Sequence, residues 1–154
     1  MGLILKSEYR KAVSSDLGRC FEIRGSTQDN SFSRKQLTAI GVTEQSWTPL
    51  IEDGTFIGNV AIKQDEVIGF CFGDTESGEI LVLAVLAGHE GEGIGKRLLE
   101  LTSDGLFSNG LSELWLASSA TPVVRAYGFY RSVGWNPTNT YDGNGDEILR
   151  RRKI

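Results

Sequence analysis

The sequence predicts an α/β fold with a mixed central sheet of about seven strands flanked by helices, in the order β-α-α-β-β-β-α-β-α-β-β. Three observations predict it. Residues 58–86 carry β-type runs separated by short polar turns. The apolar run Ile80 to Leu86 then leads through a glycine-rich loop directly into a helical pattern. Beyond that helix, strand and helix patterns alternate, and the chain closes on a hairpin signal at Asn144-Gly145.

The elements follow in order. Tyr9 to Ala12 alternates weakly and reads as a first strand. Ser14 or Ser15 caps a helix that Asp16 suits electrostatically; Leu17, Cys20, Phe21 and Arg24 follow at helical spacing and Gly25 ends it. Asn30-Ser31-Phe32-Ser33 is a second cap signal, before a short helix holding Leu37 and Ile40 and closing at Gly41. Thr43 to Trp47 starts a further helical piece that ends near Gly54. Gly58–Lys63 and Glu66–Gly73 are strands about the tight turn Gln64-Asp65. Glu79–Leu86 alternates so little that it is expected to be buried on both faces. From Ile94, the set Ile94, Leu98 and Leu101 lies on one helix face, flanked by Leu99 and Leu106, until Asn109-Gly110 stops the helix. Leu114–Ala117 is a strand. Thr121-Pro122 opens the last helix, since proline suits a first helical position, and Gly134 closes it. Gly128 inside that helix costs roughly 1 kcal/mol relative to alanine, which points to a close approach there. Trp135–Tyr141 and Asp146–Lys153 form the final hairpin.

With 154 residues and no Pro/Gly/Ser linker, repeat or low-complexity tract, residues 1–154 are expected to form one domain. The net charge of −4 argues against a general nucleic-acid binder, and the basic run Arg150 to Lys153 reads as the solvated end of a strand. No apolar run approaches the roughly 18–20 residues of a membrane span. The start is too short for a signal peptide, and Lys6 stands where a myristoylation pattern needs Ser or Thr. Cys20 and Cys71 lie in separate apolar patterns and read as buried thiols of a reducing compartment, so a cytoplasmic location is expected. A lone histidine, His89, with no Cys/His cluster argues against a zinc site, and no metal is expected.

The run Glu90-Gly91-Glu92-Gly93-Ile94-Gly95-Lys96 carries the chemistry. The first turn of a helix leaves about four backbone N–H groups unpaired, and the helix dipole adds positive charge there. Glycines in the preceding loop let oxygens of another molecule approach the backbone. The loop is not a P-loop: Glu90 stands at the first glycine and Arg97 at the Ser/Thr. Nor is it a dinucleotide fingerprint, because Gly91, Gly93 and Gly95 give G-x-G-x-G in mid-chain. Alone, it fits a diphosphate cradle or a tight strand-to-helix connection.

Three local patterns add to it. Gly93-Ile94-Gly95 supplies the glycine part of a Q/R-x-x-G-x-G/A loop between a fourth strand and a long helix. Ala126, Tyr130, Gly134 and Trp135 fit A-x-x-x-Y-x-x-x-G-F/W. Glu79 is an acid opening the fourth strand. With the element order, these patterns resemble the GNAT superfamily of N-acetyltransferases over nearly the whole chain. Two positions depart: Glu90 occupies the Gln/Arg position, and Val123 stands where many members carry an asparagine that contacts the cofactor.

The resemblance implies a GNAT fold whose fourth and fifth strands splay apart, and acetyl-CoA as co-substrate. Its diphosphate would lie on the N–H groups of Gly91, Gly93, Gly95 and Lys96, within a cofactor set that also holds Glu90, Ile94, Ala126 and Tyr130. Its pantetheine amides would pair like a strand with Leu83 and Val85. Glu90 and Glu92 add negative charge near that diphosphate, which Lys96 and Arg97 offset. Tyr130 is the candidate acid for the departing thiolate, since a phenol with a pKa of about 10 keeps its proton at neutral pH; its structural alternative is a core aromatic. Glu79 is the candidate base, acting through water, with a solvated strand-opening acid as the alternative. The Leu83 backbone could polarise the thioester carbonyl, given a bulge in its strand. Arg24, Phe32, Trp47 and Ser118 are candidates for the acceptor site, with Asn30 and Tyr141 nearby in pattern; Trp47 reads equally as core and Arg24 as a solvated helix end. The expected activity is acetyl transfer to a primary amine, on a small molecule or a peptide, by direct attack in a ternary complex, with no nucleic acid or membrane partner and with room for a homodimer. The alternatives are an acyl-CoA-binding regulatory module without turnover and a plain nucleotide-binding domain.

Overall fold

The computed structural model describes residues 6–26 and 34–154. β1 (Glu8–Lys11) is followed by a 3-10 turn (Ser14–Asp16), α1 (Leu17–Arg24), α2 (Arg34–Ala39) and α3 (Glu44–Glu52). β2 (Phe56–Lys63), β3 (Glu66–Asp74) and β4 (Ile80–Val85) form a meander, and α4 (Ile94–Ser108) follows the glycine loop. β5 (Glu113–Ser118), α5 (Arg125–Ser132), β6 (Asn136–Tyr141) and β7 (Glu147–Arg152) complete the order.

Among the described residues three α-helices separate β1 from β2, one more than the expected element order counts although the residue patterns mark all three. The third is fixed by a reciprocal cap: the Ser46 N–H donates to the Thr43 hydroxyl at 3.0 Å, and the Thr43 N–H donates to the Ser46 hydroxyl at 2.9 Å. At the start of α1 the serines do not cap. The Asp16 carboxylate folds back to accept from the Val13 N–H at 2.8 Å and from both terminal nitrogens of Arg10. Between β2 and β3 the turn residues Gln64 and Asp65 both have positive φ, the conformation that matches the twist of a two-residue hairpin. The Asn30 cap signal lies outside the described residues.

The seven strands do not make one continuous sheet. They form a four-stranded antiparallel sheet, β1-β2-β3-β4, and a three-stranded one, β5-β7-β6. Among the described residues a single parallel bridge, Glu79 to Trp115, joins them. Beyond it β4 and β5 part. This corrects the expectation for β4: only Ile80 and Ala84 are buried, and the residues between them stay partly open because one edge of the strand has no partner strand. A bulge sits in β4, where Phe72 pairs with Val82 and Gly73 with Ile80, leaving Leu81 as the extra residue.

Two cores flank the first sheet. Ile94, Leu98, Leu99 and Leu106 of α4 pack on one face with Ile68, Cys71 and Ile80. Leu17, Cys20, Phe21 and Ile23 of α1 pack on the other with Val60, Phe70 and Phe72. The buried stripe of α4 runs through Thr102 rather than Leu101; the Thr102 hydroxyl accepts from the Asn59 side-chain amide at 3.0 Å, which is how a polar residue is accommodated there. The last helix begins at Arg125, not at Pro122, since residues 121–124 close a turn through Val124 N–H to Thr121 C=O at 3.0 Å. A Cβ on Gly128 would meet nothing, so no close approach accounts for that glycine.

Candidate active site

The parting of β4 and β5 opens a cleft of about 1180 Å³. One wall is the free edge of β4. Leu86 N–H donates to Ile68 C=O at 2.7 Å. Antiparallel pairs alternate between bonded and non-bonded, so Ala84 and Val82 bond to Phe70 and Phe72, while the N–H and C=O groups of Leu83 and Val85 aim away from β3 towards the cleft. These are two main-chain donor–acceptor sets of the kind an extended amide chain pairs with.

The loop before α4 forms the end of the cleft. Gly91 and Gly93 have φ of +81° and +80°, and a Cβ at either would meet nothing within 4 Å. Glycine is therefore required there by backbone conformation, not by crowding. Gly93 caps α4 with no side-chain hydrogen bond, and the first intrahelical bond is Arg97 N–H to Gly93 C=O. The N–H groups of Ile94, Gly95 and Lys96 thus precede the helical ladder, and all three residues line the cleft. Gly95 faces the opposite wall: a Cβ on it would come within 3.7 Å of the Phe129 ring.

That opposite wall is α5 with the end of β5. Ala126, Phe129 and Tyr130 line the cleft from α5, and Ser118 lines it from β5. Burial pushes the Tyr130 phenol above its ordinary range, the Cys71 thiol adds to the shift, and the Arg24 guanidinium opposes it. The hydroxyl therefore holds its proton through neutral and mildly alkaline pH. Arg24, from the end of α1, also lines the cleft, and burial lowers its pKa while Tyr130 opposes the shift. Ser118 is 6% exposed, and its hydroxyl has no hydrogen-bond partner among the described residues.

The two loop glutamates are each matched by a cation. Glu90 lies 3.5 Å from Arg125, and both line the cleft. Glu92 pairs with Lys63 at 2.8 Å. The hydrogen bond from Lys63 holds the Glu92 carboxyl below its usual range.

No curated protein matches this chain in sequence. The family model described as the acetyltransferase (GNAT) family matches residues 10–135. The chain belongs to the GNAT acetyltransferase family.

Solved structures share the GNAT fold at low identity. The PaiA N-acetyltransferase from Thermoplasma acidophilum, in complex with coenzyme A, has a TM-score of 0.79 and 22% identity over 96% of this chain and 99% of its own. The ribosomal-protein-S18-alanine N-acetyltransferase from Escherichia coli has a TM-score of 0.67 and 19% identity over 94% of this chain and 91% of its own. An aminoglycoside 6'-acetyltransferase type Ii has a TM-score of 0.70 and 17% identity over 96% and 97%. Among the described residues, no helix is long and apolar enough to cross a membrane.

Every residue assigned from sequence to the cofactor set, from Leu83 to Tyr130, lines the one cleft, as do Arg24 and Ser118. Three others do not. Trp47 is half-buried against the α1-side core, its ring edge-on to Phe21, Phe56 and Phe72 at centroid distances of 6.4, 5.0 and 5.6 Å. Its helical spacing gave no way to tell core from substrate wall; those three rings place it against the α1-side cluster, away from the cleft. Glu79 lies at the sheet junction, one residue beyond the cleft lining that starts at Ile80, and burial followed by the Asp74 charge raises its pKa. Tyr141 is exposed on β6. Phe32 lies outside the described residues. Val123, at the family's frequent asparagine position, is 90% exposed, while its neighbour Val124 lines the cleft. Sequence reasoning missed Arg125, Phe129 and Asp146, all in the lining. The first precedes Ala126 of the motif by one residue, so helical adjacency was the available signal.

Proposed function

We propose that this protein transfers an acetyl group from acetyl-CoA to a primary amine, carried by a small molecule or a peptide, by direct attack in a ternary complex. The observation that carries the reading is the free β4 edge lying between an uncapped glycine loop and a protonated Tyr130. The residues fit the co-substrate's chemistry. The N–H groups of Gly91, Gly93, Gly95 and Lys96 suit the diphosphate. The outward C=O of Leu83 and the outward N–H and C=O of Val85 suit the amides of pantetheine, which leaves the outward N–H of Leu83, two residues past the bulge, to suit the thioester oxygen.

In this reading the amine nitrogen attacks the thioester carbon, the carbon–sulfur bond breaks, and the sulfur takes the proton of Tyr130. The amine gives up its proton through water to Glu79, whose raised pKa suits a base near neutrality better than an ordinary carboxylate. Ser118 and Arg24 line the same cleft as Tyr130, which supports them as contacts to the acceptor. The family membership, and the coenzyme A held by the Thermoplasma relative, support the donor; the acceptor is left to experiment.

The test is CoA release from acetyl-CoA across a panel of amines, read by thiol detection, for the native chain and Tyr130→Phe. Amine-dependent release that falls roughly a hundredfold or more in the variant is expected. Tight acetyl-CoA binding without amine-dependent release would instead make the chain a regulatory acyl-CoA binder. Stabilisation by ATP or NAD but not CoA would overturn both.

A further inference from the structure

Three carboxylates belong to the hairpin of β6 and β7, and two of them are engaged. Asp142 accepts from the Asn144 and Asp146 N–H groups, each at 2.9 Å, and so holds the turn. Glu147, the first residue of β7, is buried against Arg131. Asp146 lies between them in the chain and lines the cleft. Its main chain belongs to the hairpin, with its C=O accepting from the Asp142 N–H at 2.9 Å. Its carboxylate accepts no hydrogen bond and meets no cation among the described residues. Burial and then the Asp142 charge raise its pKa, and no cation opposes them.

A second polar group stands at the same end of the cleft. Ser118 ends β5 and faces Glu147 at the last step of the β5–β7 ladder, so Asp146 lies one residue beyond that step. Ser118 is 6% exposed and lines the cleft, yet its hydroxyl has no hydrogen-bond partner among the described residues. A buried hydroxyl without a partner costs free energy that the N–H of a ligand recovers. A carboxylate without a counter-ion gains in the same way from a cation. Both groups can accept, and an ammonium brings three N–H donors and a positive charge.

We propose that Asp146 and Ser118 dock the acceptor, holding the incoming amine as its ammonium, so that the cleft selects acceptors by positive charge. This rests on the reading of the cleft as an acetyltransferase site and gives that site its acceptor contacts. The reaction then removes the attraction. An ammonium and acetyl-CoA become an N-substituted acetamide, the CoA thiol and one proton. The nitrogen–carbon bond forms, the carbon–sulfur bond breaks, and the nitrogen loses two protons. One leaves through water to Glu79, and the other replaces the proton that Tyr130 gives to sulfur. The amide is neutral, so Asp146 holds the substrate and releases the product.

The test is steady-state kinetics of the native chain, Asp146→Asn and Ser118→Ala, with the amine of the panel that gives the fastest CoA release, and inhibition by its acetylated product. Asp146→Asn is expected to raise the amine KM about tenfold, the loss of a charge-assisted hydrogen bond, with kcat and the acetyl-CoA KM within about twofold of native. Ser118→Ala is expected to raise the amine KM about threefold. Its urea midpoint should stay at or above native, because the hydroxyl has no protein partner to lose. The neutral product is expected to inhibit the native chain and Asp146→Asn equally. An unchanged amine KM in Asp146→Asn would overturn the proposal. So would a loss of kcat at native KM, which would make Asp146 a base, or equal weakening of amine and product, which would make its role structural. Absence of amine-dependent CoA release from the native chain would overturn the reading of the cleft and this proposal with it.

Discussion

Glu79 and Trp115 form the one bridge between the two sheets among the described residues, and the cleft opens immediately beyond it. The bridge includes the Trp115 N–H donating to Gly78 C=O, and the junction is tied once more by the Trp115 indole N–H donating to Ser77 C=O, each at 3.1 Å.

Gly78 is the tightest point of the junction. Its φ is +79°, and a Cβ there would lie 2.8 Å from the Glu113 carbonyl oxygen. Gly78→Ala is expected to destabilise by about 2–4 kcal/mol, combining an unfavourable φ with a backbone clash. Gly41, with φ +83° and nothing within 4 Å, isolates the first effect, and Gly41→Ala is expected to cost only about 1 kcal/mol. Equal losses in urea unfolding of the two variants would show that the clash carries no cost.

The buried carboxylate of Glu147 at the start of β7 pairs with Arg131 of α5, which also donates to the Tyr127 carbonyl at 3.2 Å and lies 3.7 Å from the Tyr127 ring centroid. Arg131→Met leaves a buried charge without its partner and is expected to destabilise by about 3 kcal/mol. Adding Glu147→Gln is expected to recover part of that loss. A double variant as unstable as the sum of the two singles would show that the two residues are not coupled.

Asp16 sets an acid limb of stability. Burial raises its pKa, but the Arg10 hydrogen bonds and the Val13 amide outweigh burial and hold it below the ordinary 3.8. A carboxyl depressed on folding contributes its full stability above the unfolded value and loses it as pH falls through the folded value. Urea midpoints measured from about pH 5 down to pH 2 should fall steeply in the native chain and less steeply in Asp16→Asn. Parallel profiles would remove Asp16 from the account.

Tyr130 titrates above the ordinary phenol value because it is buried. As the proton donor it stays competent beyond about pH 10, so kcat should show no alkaline fall from its deprotonation between about pH 8 and 10. An alkaline limb in the native enzyme that vanishes in Tyr130→Phe would contradict this.

Much of the site was legible in the sequence because its determinants are local. Gly91 and Gly93 are read as glycines for a loop before a helix, and the structure gives both the positive φ that demands glycine. Tyr130 and Ala126 fall on one side of α5 because four residues make about one helical turn. The spacing of Trp47 leaves core and substrate wall undecided, and that of Leu101 does not show how deeply it packs, for the converse reason. Helical spacing shows that residues share a face, but not what the face packs against, and Leu101 gave way to Thr102 once Asn59 of β2 supplied a hydrogen bond from 43 residues away.

The sequence by itself determined the strand order and the glycine loop, because caps, turns and periodicity act within a few residues, and Tyr130 became the candidate acid only through the family resemblance. The tertiary structure alone decided where the sheet breaks, that β7 inserts beside β5, that Glu79 stands at the junction rather than in the cleft, and that Glu90 meets Arg125. Each depends on partners distant in the chain: β5 lies beside β7, whose partner residues are up to 39 positions away, and Glu90 and Arg125 are joined only because α5 folds back across the cleft. Such contacts exist only once the whole chain has packed.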